Sequence, residues 1–334
     1  MRVLVLRPGA LGDMLLTLPA LQALQAHFPE AVIEVMGNGS VLQWLVGRSV
    51  VQAASSFDRE DLTTLFQPDA LPSPSLQRYL DQFDFILSYA TPPEHVFALN
   101  LMRLARGRVM AWDARPGRDV SMHISAYLQQ PLRELGVAVS DDMPRLVLTE
   151  EDRQAAAQWW QEHGLGERAA VAIHPGSGSA AKNWPAEHFA ALARHLRDER
   201  GMPILLVSGP ADKAAVAEVE QGLGGQGYIL LYELPLPLLA AVLARCRAYV
   251  GNDSGISHLA AAVGTHVVAI FGPTDATVWA PRGASVRVVC AAVPCAPCTA
   301  EQRRSCPRQV CLEGVSVEAV LEALGDNAVL SRLR

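Results

Sequence analysis

The feature that most constrains the fold of this chain is an alternation of short apolar runs with helix-like segments, which occurs twice. In the first half, strand-like runs stand at residues 2–6 (RVLVL), 31–37 and 84–89. The alternation restarts near residue 165, and the strand-like runs of the second half lie at residues 169–176, 202–210, 228–234, 248–255 and 266–273. Strand–helix–strand order of this kind is typical of parallel α/β sheets.

We therefore predict two Rossmann-like α/β domains that face each other across a cleft. The chain has 334 residues, which suits two domains of about 150 residues each. We place the first domain at residues 1–160 and the second at 165–334, and we allow the last helix, at about 316–324, to pack back on the first domain. Ligands of such sheets bind at the carboxyl ends of the strands, so we expect the site there.

Helical spacing of apolar residues predicts further elements between these strands. Three helices are expected at about 13–27, 121–135 and 149–163, the last two ending at Gly136 and Gly164. Pro19 falls inside the first of them, so this helix is expected to bend or to begin late there. Three prolines in residues 55–80 predict a loop in that stretch.

Composition excludes several classes of protein. Hydrophobic residues make up 50% of the chain and charged residues 19%, which indicates a folded globular protein. No apolar run approaches the roughly 20 residues that span a bilayer, and the apolar start is too short for a signal peptide. The net charge of −6 argues against a general nucleic-acid binder. We expect the protein in the cytoplasm, with at most peripheral contact to the inner membrane.

The loop after the first strand, PGALGD, is the first candidate for chemistry. Gly9 and Gly12 would let the backbone approach a ligand closely at the start of a helix. Asp13 could accept a proton from a substrate hydroxyl there. By residue type alone, a simple helix cap is the more common role for such an aspartate. The GxGxxG dinucleotide fingerprint is absent, which argues against a nicotinamide cofactor.

Three loops of the second half resemble phosphate sites. In HPGSGSAAKNWP, Ser177 and Gly178 offer backbone N–H groups, and Lys182 could neutralise a phosphate. Lys182 and Lys213 are the two lysines of the chain. A surface loop with a solvated lysine remains the alternative.

The stretch GNDSGISH comes where a strand ends and an apolar helix begins. The helix N-terminus favours an anion, so Asp253, Ser254, Gly255 and His258 are candidates for binding a diphosphate. Asp253 and Ser254 are also good helix caps, and this structural role stays open. Thr274 lies in the loop FGPTD, after the next strand, where an ordinary turn is the alternative. The shared placement of the three loops at strand ends predicts a nucleotide-diphosphate site.

An arginine-rich stretch at residues 103–118 could bind an anionic acceptor. Its arginines are Arg103, Arg106, Arg108, Arg115 and Arg118. A solvated charged face is the alternative for each of them. His123 lies close by in the sequence and is a further candidate for the acceptor side.

Five of the six cysteines fall in one short stretch near the end of the chain. Cys295, Cys298, Cys306 and Cys311 could form a four-thiolate site for structural zinc or iron. Free thiols or a disulfide are the alternatives. In a cytosolic chain such clusters indicate metal or redox chemistry more often than structural disulfides.

The combined motifs resemble glycosyltransferase family 9, the ADP-heptose:lipopolysaccharide heptosyltransferases. The matching stretches follow the order of the family along almost the whole chain: RPGALGDMLLTLPALQALQAHFP, AVAIHPGSGSAAKNWPAEHFAALARHL, SGPAD, YVGNDSGISHLAAAVGTHVVAIFGPTD and CAPC…CP…CLEGVSVEAVLEAL. Residues 55–80 and 103–118 match no motif of the family, and these regions should govern the acceptor. The segment LYELPLP also lacks the small polar residues expected near a nucleotide.

The resemblance implies a GT-B fold, in which the first domain takes the acceptor and the second takes the nucleotide sugar. It also implies inverting transfer without a catalytic metal. Asp13 matches the catalytic base of the family, and Lys182 matches its phosphate-contacting lysine. The donor-binding motif of the family falls on Asp253, Ser254, Gly255 and His258, and Thr274 lies near the diphosphate.

The resemblance thus implies transfer of heptose from ADP-heptose to an anionic lipopolysaccharide inner-core acceptor, with no nucleic acid involved. First and second heptose addition both fit these motifs. Transfer of another sugar, or transfer to a protein, is the first alternative. A nucleotide-sugar epimerase of similar fold is the second, and a non-catalytic nucleotide-sugar binder is the third. An intact Asp13 argues against the binder, which has no use for a base.

Overall fold

The computed structural model describes residues 1–69, 71–117, 121–139 and 143–325. The chain divides into two compact units, Met1–Val147 and Leu148–Arg334. The division lies before the helix at 149–163, whereas the sequence pattern places the boundary after it.

The first unit is built on a five-stranded parallel sheet. Its strands are β1 (Arg2–Arg7), β2 (Val32–Gly37), β3 (Ala53–Ser56), β4 (Phe85–Ser88) and β5 (Arg108–Ala111). They stand in the order β3-β2-β1-β4-β5, and every pairing is parallel. The chain moves outward from β1 in one direction and then returns to its other side with β4. The gap between the carboxyl ends of β1 and β4 is therefore the switch point, where open α/β sheets bind ligands.

Helices surround this sheet. They are α1 (Leu11–His27), α2 (Gly39–Leu42), α3 (Pro74–Leu80), α4 (Val96–Leu104), α5 (Ile124–Tyr127) and α6 (Gln130–Glu134), with 3-10 helices at Gln43–Leu45 and Glu60–Phe66. Helix α1 begins at Leu11 and continues through Pro19, so the expected late start at Pro19 is wrong. Its apolar residues are buried on nearly all sides, and this packing outweighs the single backbone hydrogen bond that a proline removes.

Two expectations for the first unit need correction. Within residues 55–80, Glu60–Phe66 form a 3-10 helix and Pro74–Leu80 form α3, and the expected loop is found at the irregular residues 67–69 and 71–73. Ser73 caps α3, and Pro74 occupies its first turn, where a missing N–H costs little. The single helix expected at 121–135 is split into α5 and α6, with Pro131 at the start of the second. It ends near Gly136 as expected, with the positive φ that glycine tolerates.

The second unit has a six-stranded parallel sheet. Its strands are β6 (Val171–His174), β7 (Ile204–Ser208), β8 (Ile229–Tyr232), β9 (Ala248–Asn252), β10 (Val267–Phe271) and β11 (Val286–Cys290). They follow the order β11-β10-β9-β6-β7-β8. Here the chain starts at β6, moves out to β8 and returns with β9 on the other side of β6. The switch point of this sheet therefore lies between β6 and β9.

The helices of the second unit are α7 (Glu150–Glu162), α8 (Ala186–Asp198), α9 (Lys213–Gly222), α10 (Leu236–Arg245), α11 (Gly255–Ala262), α12 (Ala276–Trp279), α13 (Ala300–Arg304), α14 (Val310–Glu313) and α15 (Val317–Ala323), with a 3-10 helix at Ala180–Lys182. Helix α7 packs against α10, with Arg245 over the ring of Trp160. This contact explains why α7 belongs to the second unit. Helix α15 packs on α8 and β11 within the same unit.

No helix in the described ranges is both long enough and apolar enough to cross a membrane.

Candidate functional site

The carboxylate of Asp13 lies at the carboxyl end of β1, in the first turn of α1. Its Oδ2 accepts a hydrogen bond of 2.9 Å from the backbone N–H of Ala10, so Asp13 does help to cap the helix. The other oxygen, Oδ1, lies 3.2 Å from Nη2 of Arg7. The side chain is still 41% exposed. A carboxylate that is held by two donors and yet reaches solvent is well placed to accept a substrate proton.

Arg7 is the buried partner of this carboxylate. Its side chain is 6% exposed, and burial lowers the pKa of its guanidinium although the nearby Asp13 opposes that shift. Nε of Arg7 donates to Oγ1 of Thr17 over 3.0 Å, and this hydroxyl donates to the backbone oxygen of Asp13 over 2.8 Å. Strand β1 and helix α1 therefore fix the orientation of Asp13 from two sides.

Gly9 gives the room for this arrangement. Its φ is +154°, and a Cβ built there would stand 2.8 Å from Oδ2 of Asp13. Any larger residue would push the carboxylate away from the N–H of Ala10. Gly12 lies beside Asp13 in the same turn of α1.

In the second unit, the predicted donor residues gather at the switch point between β6 and β9. Nζ of Lys182 lies 3.1 Å from Oδ2 of Asp253. Oγ1 of Thr274 donates to the same oxygen over 2.8 Å. The three predicted loops, which follow β6, β9 and β10, therefore meet on one carboxylate. The structure brings Lys182, Asp253 and Thr274 together, as expected from their positions at strand ends.

Asn252 joins the first two loops beneath this contact. Its side-chain amide donates to the backbone oxygen of Pro175 over 2.8 Å, and its Oδ1 accepts from the N–H of Trp184 over 2.9 Å. Trp184 is buried and donates its indole N–H to the oxygen of Val315. The segment that carries Lys182 is thus attached to the rigid core at both of its ends.

Ser177 and Gly178 differ in whether they are accessible to a ligand. Ser177 is buried, and its hydroxyl lies 2.7 Å from Oδ1 of Asn183 and from the backbone oxygen of Ser179, so it acts within the loop. Gly178 is exposed and leaves its backbone accessible.

Ser254 caps helix α11. Its hydroxyl accepts from the N–H of Ser257, so the cap alternative for this residue is correct. The first N–H groups of a helix have no acceptor within the helix, and that end carries a partial positive charge. Gly255 opens the helix at this point, and His258 is buried one turn further along. The cap and an anion site are compatible here.

A buried histidine stands directly behind Ser254. Nδ1 of His174, the last residue of β6, lies 3.3 Å from Oγ of Ser254. Its Nε2 lies 2.9 Å from Oδ2 of Asp212, which follows β7. Burial alone would raise the pKa of Asp212, but the contact with His174 and the N–H of Gly209 outweigh it, so the net shift is downward.

The fold separates the predicted acceptor arginines from Asp13. Arg108 begins β5 and is in register with Phe85, at the amino edge of the sheet. Arg103 ends α4 and donates to Asn100, and Arg106 pairs with Asp81 at 3.4 Å. Asp13 stands at the carboxyl edge of the same sheet, so these three arginines do not converge on it.

Three candidates for the acceptor side remain, namely Arg115, Arg118 and His123. Arg115, which follows β5 at the carboxyl edge, is exposed and lies 3.8 Å from Asp113. Arg118 lies outside the described residues. His123 is buried and caps α5, with Nδ1 accepting from the N–H of Ser125, and α5 packs against α1. His123 is thus placed near the helix of the candidate base.

The four predicted metal ligands line one small pocket of the second unit. Cys295, Cys298, Cys306 and Cys311 surround it together with Ala181 and Pro273. Burial raises the pKa values of the Cys298 and Cys311 thiols, and the neighbouring cysteines raise them further. Over the described ranges, no three metal-binding side chains are close enough together to hold an ion. The metal site therefore stays a prediction.

Sequence reasoning missed four residues that shape these sites, namely Arg7, Asn252, His174 and Asp212. Arg7 had a readable signal, since it is a charged residue at the carboxyl end of a strand whose four central residues are apolar. His174 and Asp212 are 38 residues apart. Only the neighbouring positions of β6 and β7 in the sheet bring them into contact.

Comparison with known proteins adds a family match. Residues 114–307 match the model of "Glycosyltransferase family 9 (heptosyltransferase)". The chain is similar to lipooligosaccharide heptosyltransferase 2 of Haemophilus influenzae, with 26% identity over 82% of this chain and 84% of the relative.

Solved structures show the same fold. A family 9 glycosyl transferase from Veillonella parvula superposes with a TM-score of 0.79 at 21% identity, covering 99% of this chain and 97% of that one. The Escherichia coli ADP-heptose lps heptosyltransferase II gives a TM-score of 0.73 at 23% identity, covering 99% of both chains. The predicted fold class, GT-B with two Rossmann-like domains, is confirmed.

Proposed function

Because the chain belongs to glycosyltransferase family 9, the heptosyltransferases, and is therefore a glycosyltransferase, we propose that it moves a heptose from ADP-heptose to a hydroxyl of a lipopolysaccharide inner-core acceptor. The observation that carries this proposal is the carboxylate of Asp13. It is exposed, and the buried cation of Arg7 and the N–H of Ala10 hold it in place.

In the proposed mechanism, Asp13 takes the proton of the acceptor hydroxyl. The oxygen then attacks the anomeric carbon from the face opposite the nucleotide, and the configuration at that carbon inverts. The bond from this carbon to the diphosphate breaks, and negative charge develops on the leaving group. Lys182 and the N-terminus of α11 stabilise that charge, and electrostatic stabilisation of this kind usually contributes more to catalysis than any other single effect. No metal is needed for these steps.

Asp253 has a second role in this proposal. Lys182 and Thr274 both contact its carboxylate. The pairing holds the lysine at the end of the sheet until the diphosphate arrives. A phosphate would then share the ammonium with Asp253, since a lysine offers three donors.

A donor and acceptor assay tests the proposal. The full-length protein is screened against ADP-, GDP- and UDP-sugars by thermal shift, because a ligand that binds the folded state raises its stability. Transfer from ADP-heptose to an inner-core acceptor is then followed by mass spectrometry. We expect stabilisation by the ADP compounds and a product one heptose heavier. A preference for UDP-sugars, or no product with any inner-core acceptor, would contradict the proposal.

The same assay separates the alternatives. An epimerase would convert the nucleotide sugar without an acceptor, whereas a transferase releases ADP in proportion to the acceptor added. A protein acceptor would appear as a heptose on a polypeptide.

We propose that the reaction takes place at the cytoplasmic face of the inner membrane, where peripheral contact would present the glycolipid. Exposed Arg115 at the carboxyl edge of β5 supports an anionic acceptor.

For the cysteine loop, we propose a structural zinc or iron ion held by Cys295, Cys298, Cys306 and Cys311. Their common pocket supports this, although the thiols must turn inward to reach ligand distance. The loop contacts the donor region, because the N–H of Cys298 donates to the oxygen of Pro273 over 2.8 Å. Elemental analysis of protein purified without chelator should give about one ion per chain. Protein free of metal that retains its full stability would contradict the proposal.

A further inference from the structure

The pair of His174 and Asp212 has no part in the mechanism above, although both side chains are buried in the second unit. His174 is 2% exposed and Asp212 is 8% exposed. His174 ends β6 and Asp212 follows the neighbouring strand β7, whereas Ser254 follows β9 on the other side of β6. The contacts Asp212–His174–Ser254 therefore connect three adjacent strand ends directly behind the start of α11.

The hydrogen-bonding roles follow from the chemistry of the groups. A carboxylate can only accept, so Nε2 of His174 carries the proton that Oδ2 of Asp212 receives. In the neutral ring, Nδ1 is then an acceptor, and it faces the hydroxyl of Ser254. The oxygen of Ser254 accepts from the N–H of Ser257, and its proton has two acceptors within reach, Nδ1 of His174 at 3.3 Å and Oγ of Ser257 at 3.2 Å. The hydroxyl of Ser257 itself donates to the backbone oxygen of Asn252.

The surrounding loops are shaped around Asp212. A Cβ at Gly176 would stand 2.1 Å from Oδ1 of Asp212, so the backbone of the phosphate-type loop rests directly on this carboxylate. The N–H of Gly209 donates to Oδ2 of Asp212 over 3.1 Å. Asp212 also precedes α9, yet its side chain makes no cap hydrogen bond to that helix. The carboxylate is therefore turned toward the histidine and away from its own helix.

We propose that Asp212 and His174 are positioning residues for the nucleotide diphosphate. Asp212 keeps His174 in the tautomer with the proton on Nε2, and Nδ1 then receives the hydroxyl proton of Ser254. The oxygen of Ser254 thereby stays directed at the N–H of Ser257, and the N–H groups of Gly255 and Ile256 remain directed at the phosphates. This inference rests on the proposed function, because it assumes that a diphosphate binds at α11.

Two substitutions of His174 distinguish its contact with Ser254 from its contact with Asp212. In His174→Asn, the amide lies near the position of Nδ1 and can still accept from Ser254. In His174→Gln, the amide lies near the position of Nε2 and contacts only Asp212. Positioning through Ser254 predicts that the Gln variant raises the Kd of ADP roughly tenfold, whereas the Asn variant stays within about threefold of the unchanged protein. Equal Kd values for the two variants would overturn the proposal.

Asp212→Asn provides an independent test, because it removes the charge but keeps the shape beside Gly176. We expect its Kd for ADP to rise roughly tenfold, and KM for the donor to rise with little change in kcat. Nitrogen NMR of protein with 15N-labelled imidazole should show the Nε2–H tautomer for His174 and its loss in Asp212→Asn. Another tautomer in the unchanged protein, or an unchanged Kd in a folded Asp212→Asn, would overturn the proposal.

Two reference variants complete the experiment. Thr265→Val removes a buried hydrogen bond of 2.8 Å to Leu243, away from the three loops, and should lower stability without changing the Kd of ADP. Lys182→Ala reports on the proposed function itself. If Lys182→Ala weakens ADP binding and Asp212→Asn does not, only the positioning role fails. If the unchanged protein does not bind ADP, the proposed donor fails and the positioning role fails with it.

Discussion

The two sheets of this protein are both parallel and both have a switch point, but the side chains at the two switch points differ in solvent exposure. At the end of β1, one carboxylate, Asp13, is 41% exposed and rests on the buried Arg7. At the ends of β6 and β9, Asp253 is 11% exposed and is bonded to two loops at once. A group that exchanges a proton with a changing substrate has to stay accessible. Under the proposed function, the second site binds the diphosphate, and donors that are rigid before binding lose less entropy when a ligand binds.

The largest effect should come from Asp13→Asn, which tests the catalytic side of this comparison. The amide keeps the shape but cannot accept the proton, so kcat should fall by roughly 10²–10⁴-fold. ADP binding should stay within about twofold, because the proposed role of Asp13 is proton transfer and not donor binding. Kinetics and calorimetry measure the two quantities. Asp58→Asn, which changes an exposed aspartate of the same unit, is the control. Near-normal transfer by Asp13→Asn would contradict the assignment of Asp13 as the base.

Lys182→Ala tests the binding side and should have the next largest effect. The loss of one charge-assisted contact should raise the Kd of ADP by roughly 10–100-fold. Asp253 would also lose its partner at 3.1 Å. Lys213→Ala is a matched control, because Lys213 is the other lysine of the chain and pairs with Glu233 at 3.1 Å. Equal effects of the two substitutions would mean that the Lys182 loop does not bind the diphosphate.

Arg7→Met should have a smaller effect and sharpens the comparison within the first unit. Asp13 would lose the cation that orients it, and Thr17 would lose a donor. We expect kcat to fall roughly tenfold while the Kd of ADP is unchanged. Arg2→Met, at the exposed start of the same strand, is the control. A change confined to the ADP affinity would contradict the role of Arg7 in orienting Asp13.

The smallest effect concerns pH and Asp212. Its contact with His174 lowers the pKa of Asp212 in the folded protein. A lowered folded pKa stabilises the protein above the unfolded value of about 3.9, and this stabilisation is lost as the pH falls through the lower folded value. Asp212→Asn should therefore lower Tm by roughly 2 °C at pH 6 and by less near pH 3. Thermal unfolding at the two pH values measures this, and an equal loss at both would contradict it.

The predictability of the fold followed burial. Strands β1, β6, β9 and β10 are continuous apolar runs because both faces of a central parallel strand are covered, and all four were predicted. Strands β3 (AASS), β5 (RVMA) and β11 (VRVVC) were missed. They stand at the sheet edges, are only partly buried and are only four or five residues long. Helix α4 was also missed, since it is short and only partly buried.

The candidate sites were predictable to the extent that they follow strand ends. Lys182, Asp253 and Thr274 each follow a predicted strand of the second half, and parallel strands bring their carboxyl ends to one edge. The arginines near residue 105 looked equally suitable in the sequence. Arg103 and Arg106 precede β5 and Arg108 begins it, so these residues lie at the amino edge of the sheet. Because the apolar pattern did not predict β5, the sequence did not show at which edge of the sheet these arginines lie.

The sequence by itself determined the two parallel sheets, the positions of their central strands and the loops that end them, because apolar periodicity and turn residues act over short distances. Tertiary structure alone decided which side chains meet. Arg7 reaches Asp13 only because α1 folds back beside β1, and Asp212 reaches Ser254 only through His174 on the strand between them. Contacts of this kind depend on strand order, and strand order is set by the packing of the complete sheet and leaves no local pattern in the chain.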